Sequence, residues 1–264
     1  MDGVYTQVFR LKNRDVDLNR RLRASRLFEL LQEAAIAHTE QLGMGREMTL
    51  DRGLLWVVTL QNAEIRRMPE YDETIRLQTG PGETMHVLFH RYYRLETAEG
   101  EELLRSGALW MLLDETSRRF VFPENHGVSI SGVKTPWEHP LPTPPLPLPC
   151  TGEREFTVPY SYVDLNGHMN NTRYFDLAED CIPAAAEGKM LRRVQAEYKT
   201  EARLGEALTL RWGREGDRYY LSGGGARPSF ALSLEYREVS GADPGESPAV
   251  IRQGEGETPF CQED

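Results

Sequence analysis

Cysteine is scarce: the chain has three in 264 residues, Cys150, Cys181 and Cys261. Their odd number and wide spacing, with no CxxC pair and no Cys/His ligand spacing, exclude a disulfide framework and a structural zinc site. Long hydrophobic runs are also missing, and none approaches the roughly 20 residues of a membrane-spanning helix. The opening Met-Asp-Gly-Val-Tyr-Thr-Gln has neither the basic stretch nor the apolar core of a signal peptide. A reducing cytoplasm is therefore the expected location. Basic residues are outnumbered, 31 Lys and Arg against 41 Asp and Glu for a net charge of −10. That balance argues against nonspecific binding to nucleic acid or to an anionic membrane. What remains reads as a soluble globular chain, long enough for one large or two ordinary domains.

Along the chain, β-branched and aromatic residues at 4–12 read as a strand. Ser25 is the expected N-cap of a helix through about Leu42, with Leu27, Leu30, Leu31, Ala34, Ala35 and Ile36 at helical spacing and Gly43 and Gly45 at its end. Four strand-like segments follow near 54–66, 73–80, 84–96 and 102–114. The stretch from Thr135 to Pro149 is too rich in proline to build a hydrogen-bond ladder and reads as an extended linker. Beyond it the order repeats: a strand at 153–162, a helix near 171–187 that Pro183 shortens or kinks, and strands near 192–203, 206–214, 217–223 and 229–239. From Gly241 the chain is rich in Gly, Pro and Glu and reads as a flexible tail. The expected division is a domain at 1–134, a linker at 135–150, a domain at 151–240 and a tail at 241–264.

The densest polar signal is Val163-Asp164-Leu165-Asn166-Gly167-His168-Met169-Asn170-Asn171-Thr172-Arg173-Tyr174. In extended chain Asp164, Asn166 and His168 project to one side, and Gly167 permits a tight backbone between them. Asn170 or Asn171 is the expected N-cap of the following helix. A carboxylate, an amide and an imidazole beside helix N–H groups supply a base, a carbonyl clamp and an oxyanion site, the requirements of acyl transfer. A weaker copy lies upstream: Val16-Asp17-Leu18-Asn19-Arg20-Arg21 aligns with Val163 to His168 at an offset of 164 − 17 = 147 residues. Likewise Gln61-Asn62-Ala63-Glu64 through Met68 aligns with Val194-Gln195-Ala196-Glu197 through Glu201. The first copy has Arg21 for His168 and Met68 for Glu201. One active and one degenerate site is the expectation.

These residues resemble the acyl-acyl-carrier-protein thioesterases of plants and bacteria. The resemblance rests on Asp164-Leu165-Asn166-Gly167-His168-Met169-Asn170-Asn171-x-x-Tyr174, on Ala196-Glu197-Tyr198-Lys199-Thr200-Glu201, and on the duplicated layout. It implies an α+β fold of two tandem hotdog domains, each a long helix wrapped by an antiparallel sheet. The catalytic residues it implies are Asp164, Asn166, His168 and Glu201, with no metal or cofactor. The implied substrate is a fatty acyl chain on the phosphopantetheine of acyl carrier protein, and the implied form is a monomer of tandem domains or a homodimer. Plant members often carry Cys after that Glu; Ala202 stands here, which removes a Cys-based mechanism. A plastid transit peptide is missing too, which fits a bacterial enzyme.

Each residue also has a plainer reading. His168 alone could be a turn histidine, Asn166 a turn stabiliser and Glu201 an exposed strand carboxylate. Asp164 could act as nucleophile or base, or only buttress the motif. The helix face Leu27, Leu30, Leu31 and Ala34 is first of all core, and the same helix with the strand Leu54–Val58 is expected to border the acyl tunnel. Arg20, Arg21, Arg23 and Arg26, with the pairs Arg66-Arg67 and Arg192-Arg193, are either solvated charges or a docking patch for an acidic carrier. Rival functions are an acyl-CoA thioesterase, a hotdog hydratase or dehydratase, and a non-catalytic acyl-binding module.

Overall fold

The computed structural model describes residues 3–239. The N-terminal half contains β1 (Tyr5–Arg10), α1 (Ala24–Gln41), β2 (Leu54–Ile65), β3 (Thr74–Met85), β4 (Leu88–Thr97) and β5 (Glu102–Asp114). The C-terminal half contains β6 (Gly152–Thr157), α2 (Arg173–Cys181), β7 (Met190–Tyr198), β8 (Ala207–Glu215), β9 (Arg218–Gly224) and β10 (Pro228–Arg237). All ten strands form one sheet in the order β1-β3-β4-β5-β2-β7-β10-β9-β8-β6. The order is a palindrome: each half contributes five strands in the same arrangement, and the halves join through antiparallel pairing of β2 with β7. Alternation places Ala63 and Ile65, or Leu77 and Leu95, on the helix side, where they bury against Leu27, Phe28, Leu31 and Ala34 of α1. Phe28 and Phe175, themselves 147 residues apart, stack at the centre with ring centroids at 4.2 Å.

Helix starts differ from the sequence reading. Ser25 does not cap α1; the N-cap is Arg23, which makes no side-chain cap bond, and Ser25 is buried inside the first turn. The cap comes from the other half, where Glu179 on α2 accepts a hydrogen bond from the Ala24 N–H at 3.2 Å. The N-cap of α2 is Thr172 rather than Asn170 or Asn171. Asn170 instead builds the preceding turn, its Oδ1 accepting from Thr172 N and Thr172 Oγ1. α2 ends at Cys181, short of the 187 expected from periodicity, because Pro183 cannot supply the next helical N–H.

The proline-rich stretch is packed. Trp137 and His139 are buried. The Pro140 carbonyl accepts from Asn62 Nδ2 on β2, and Thr143 Oγ1 accepts from Gln195 Nε2 on β7. The segment thus crosses the outer face of the two central strands, joining the halves while bonding to both. The expected tail at 241–264 lies outside the described residues.

Candidate active site

The motif is a loop held at both ends. Val163 bridges Met169, and His168 bridges Arg203, while the Met169 N–H donates to the Ala202 carbonyl at 2.7 Å. Within the loop Asp164 Oδ1 accepts from the Asn166 N–H at 2.9 Å, and the Asp164 N–H donates to the His168 carbonyl. Gly167 takes φ +81°, the left-handed region that a Cβ resists. The first copy is built alike: Asp17 Oδ1 accepts from Asn19 N and Arg21 N, and Arg20 takes φ +61° in the place of Gly167. One aspartate therefore performs the same turn-forming task in both copies, whatever sits at the histidine position.

The copies diverge in what the loop faces. In the first, Asn19 Nδ2 donates to the Ala185 carbonyl and Arg21 Nη1 to the Gly188 carbonyl, so the segment after α2 fills the space. Met68, at the position equivalent to Glu201, is buried in the core. In the second, Asp164, Asn166, His168 and Glu201 all line an open cavity of about 680 Å³ with Trp56, Thr59, Tyr174 and Tyr198. The structure thus brings together the four residues singled out from sequence.

His168 Nε2 lies 3.2 Å from Glu201 Oε1, but off the line of a hydrogen bond; it is buried and has no hydrogen-bond partner among the described residues. Glu201 Oε1 is held from the other side by Arg118 Nη1 at 3.0 Å. Arg118 sits in the turn after β5, at φ +55°, and sequence reading missed it. Burial pushes the His168 imidazole below its ordinary value, outweighing the upward pull of Glu201, and Arg118 adds to the depression. Neutral imidazole, the form that accepts a proton, is thus the form favoured at neutral pH. The helix N–H groups expected to hold an oxyanion are largely spent: those of Thr172, Arg173, Tyr174 and Phe175 bond to acceptors between Asn170 and Thr172. The Asn166 carboxamide and the Asn171 N–H, both on the cavity wall, have no protein partner among the described residues.

A second cavity of about 390 Å³ adjoins the first, and Gln32, Leu55, Trp56, Trp110 and Asn166 line both. Its further wall is formed by Ala35, Ile36 and Thr39 of α1 with Phe89 and Arg91 of β4. The helix and strand singled out from sequence meet there through Gln32, Ala35, Ile36 and Thr39 of α1 and Leu55 and Trp56 of β2, while Leu27, Leu30, Leu31 and Ala34 face the core. Of the arginine cluster, Arg21 is tied to Gly188, Arg23 Nε donates to the Val16 carbonyl, and Arg26 pairs with Asp15 and Glu29. Among the described residues only Arg26 is paired with carboxylates; Arg21 and Arg23 are tied to neutral carbonyls. Among the described residues no group of three or more His, Cys, Asp or Glu is disposed to hold a metal, and no helix is long and apolar enough to cross a membrane.

Known proteins share this architecture. The structure superposes on an acyl-ACP thioesterase from Bacteroides thetaiotaomicron with a TM-score of 0.77, at 21% identity over 89% of this chain and 98% of that one. It superposes on the 12:0-ACP thioesterase of Umbellularia californica at 0.73, with 20% identity over 89% and 97%. These likenesses fix the fold as α+β, a tandem hotdog. A chloroplastic acyl-[acyl-carrier-protein] hydrolase of Cuphea viscosissima is 24% identical over 82% of this chain and 58% of its own length. A dodecanoyl-[acyl-carrier-protein] hydrolase of Cinnamomum camphora is 23% identical over 78% and 58%. The chain thus spans little more than half the length of these curated relatives. The family models settle the kinship: residues 2–124 match the acyl-ACP thioesterase N-terminal domain and residues 150–223 its C-terminal domain. With both halves of the repeat matched in order, the chain belongs to the acyl-ACP thioesterase family.

Proposed function

We propose that this protein hydrolyses fatty acyl thioesters of acyl carrier protein, using one site in its C-terminal half. The observation that carries the reading is the unpartnered, buried Nε2 of His168, which lies between Glu201 and an open cavity. Water attacks the thioester carbonyl while His168 takes its proton, and the same proton then passes to the leaving thiolate. The acid and the thiol are the only products. Asn166 and the Asn171 N–H receive the developing oxyanion, and Glu201, 3.2 Å from Nε2, stabilises the imidazolium that forms. Asp164 sets the turn, a role supported by its twin Asp17. Residues 1–134 would chiefly hold the chain, and 151–240 would carry the chemistry. Cys150 and Cys181, free among the described residues, favour a reducing compartment such as the cytoplasm. Rapid-quench mass spectrometry of the protein during turnover tests the direct attack of water. An acyl adduct on the Asp164 peptide would overturn it; the expected spectrum holds only free enzyme.

Two expectations follow from the electrostatics. Because His168 is depressed and must be neutral to act, kcat/KM falls on the acid side through a pKa below about 6.5. A limb above that value would contradict the assignment. Arg118 acts through Glu201 as a positioning residue. Arg118→Ala removes a cation that lowers His168, so the acid limb moves to higher pH while kcat drops about tenfold. Arg118→Lys restores most of the limb. A purely structural role for Arg118 would lower stability and leave the pH profile in place.

A further inference from the structure

Among the described residues, Arg91 is a buried cation with no anion beside it. It projects from β4 towards α1, is 5% exposed, and lies on the wall of the 390 Å³ cavity. Its hydrogen bonds among the described residues go to neutral acceptors: His38 Nδ1 at 3.0 Å, Thr39 Oγ1 at 3.2 Å and Thr79 Oγ1 at 3.4 Å. His38 is itself kept neutral, pushed down to about 4 by burial and by the Arg91 charge. Glu40, the acidic residue on the same wall, is exposed and makes no ion pair with Arg91. Arginine does not lose its proton in proteins, so the charge stays and its desolvation is uncompensated.

The fold does not demand a cation there. In the N-terminal half Arg91 pairs with Ala108, which pairs with Gln61. In the C-terminal half the same ladder runs Tyr219, Leu234, Val194, where Val194 lies 194 − 61 = 133 residues beyond Gln61, the offset of the second repeat. The equivalent position is thus a tyrosine. The cavity that holds both Asn166 and the guanidinium on its wall is mostly apolar, with Trp56, Phe89, Trp110 and Ile36, and its other cation, Arg46, is paired with Asp51. A plain alkyl chain filling it would place a methyl group against a charge that no anion among the described residues offsets.

We propose that this cavity takes acyl chains whose end remote from the thioester carries an oxygen acceptor, a carboxylate above all, with Arg91 as its partner. The proposal rests on the thioesterase reading for the orientation of the chain. A carboxylate would offer the planar, bidentate match a guanidinium favours, and a terminal hydroxyl a weaker one.

The test compares the wild-type protein on carrier-protein thioesters of matched length ending in a methyl, a hydroxyl or a carboxylate. The expected kcat/KM rises in that order, with the carboxylate favoured at least about tenfold over the methyl, since a site built around a polar group rejects the analogue lacking it. Arg91→Met reverses the order, and Arg91→Lys keeps it in part. Equal or better turnover of the methyl-ended chain by the wild type overturns the proposal, whether or not the variants fold. Calorimetry with the free diacid and monoacid of equal length separates the two readings. Tighter binding of the diacid without any thioester turnover retains the subsite and removes the thioesterase; turnover without the preference does the reverse.

Discussion

His168→Ala lowers kcat/KM for acyl-carrier-protein hydrolysis by about a thousandfold, within the range that a positioned acid–base group contributes. The size follows from the number of duties on one ring. His168 both takes the proton of the attacking water and returns it to the leaving group. The substitution leaves the fold intact, because the loop is held by backbone bonds of Asp164, His168 and Met169 that do not involve the imidazole. Thermal unfolding therefore shifts little. Activity within tenfold of wild type, with unchanged stability, would remove His168 from the mechanism and with it the reading of the site.

Phe28→Ala costs about 3–5 kcal/mol, the range for deleting a fully buried aromatic ring. Phe28 and Phe175 are 1% and 0% exposed, and their rings stack 4° from parallel. They occupy equivalent positions of the two repeats, so the pseudo-two-fold axis of the palindromic sheet runs between them. In a symmetric dimer such a residue meets its own copy across the interface. Here the contact is internal, and truncating one ring opens a cavity bordered by both helices. At roughly 2–4 °C per kcal/mol for a chain of this size, Tm falls by about 10 °C. A fall of less than about 2 °C would mean that the helices repack and that the central stack does not hold the halves together.

Much of this was legible because it is local or repeated. The alternation and composition of 54–66 and 102–114 match β2 and β5 closely, and the spacing from Leu27 to Ala35 marks α1. The duplicated Asp-x-Asn turn anticipated two equivalent loops, and the His168 and Glu201 differences anticipated that the two would diverge; the second lines an open cavity. Long-range contacts were not legible. Glu179 caps a helix 155 residues away, a bond no local capping rule reveals. Arg118 reaches Glu201 across 83 residues from a turn whose left-handed backbone favours glycine. The arginines at 21, 23 and 26 read as a surface patch, yet carbonyls and carboxylates of distant or neighbouring turns claim them. Arg91 sits in a strand whose sequence gives no sign of a cavity in front of it.

The most direct test of the central claim is thiol release by the wild-type protein from matched acyl-carrier-protein and acyl-CoA thioesters, with His168→Ala in parallel. Preference for the carrier protein that collapses in the variant is the expected result. Equal or faster turnover of the CoA esters would move the function to an acyl-CoA thioesterase at the same site. Release from neither carrier, or release that survives in His168→Ala, would contradict the assignment of this site as a thioesterase centre.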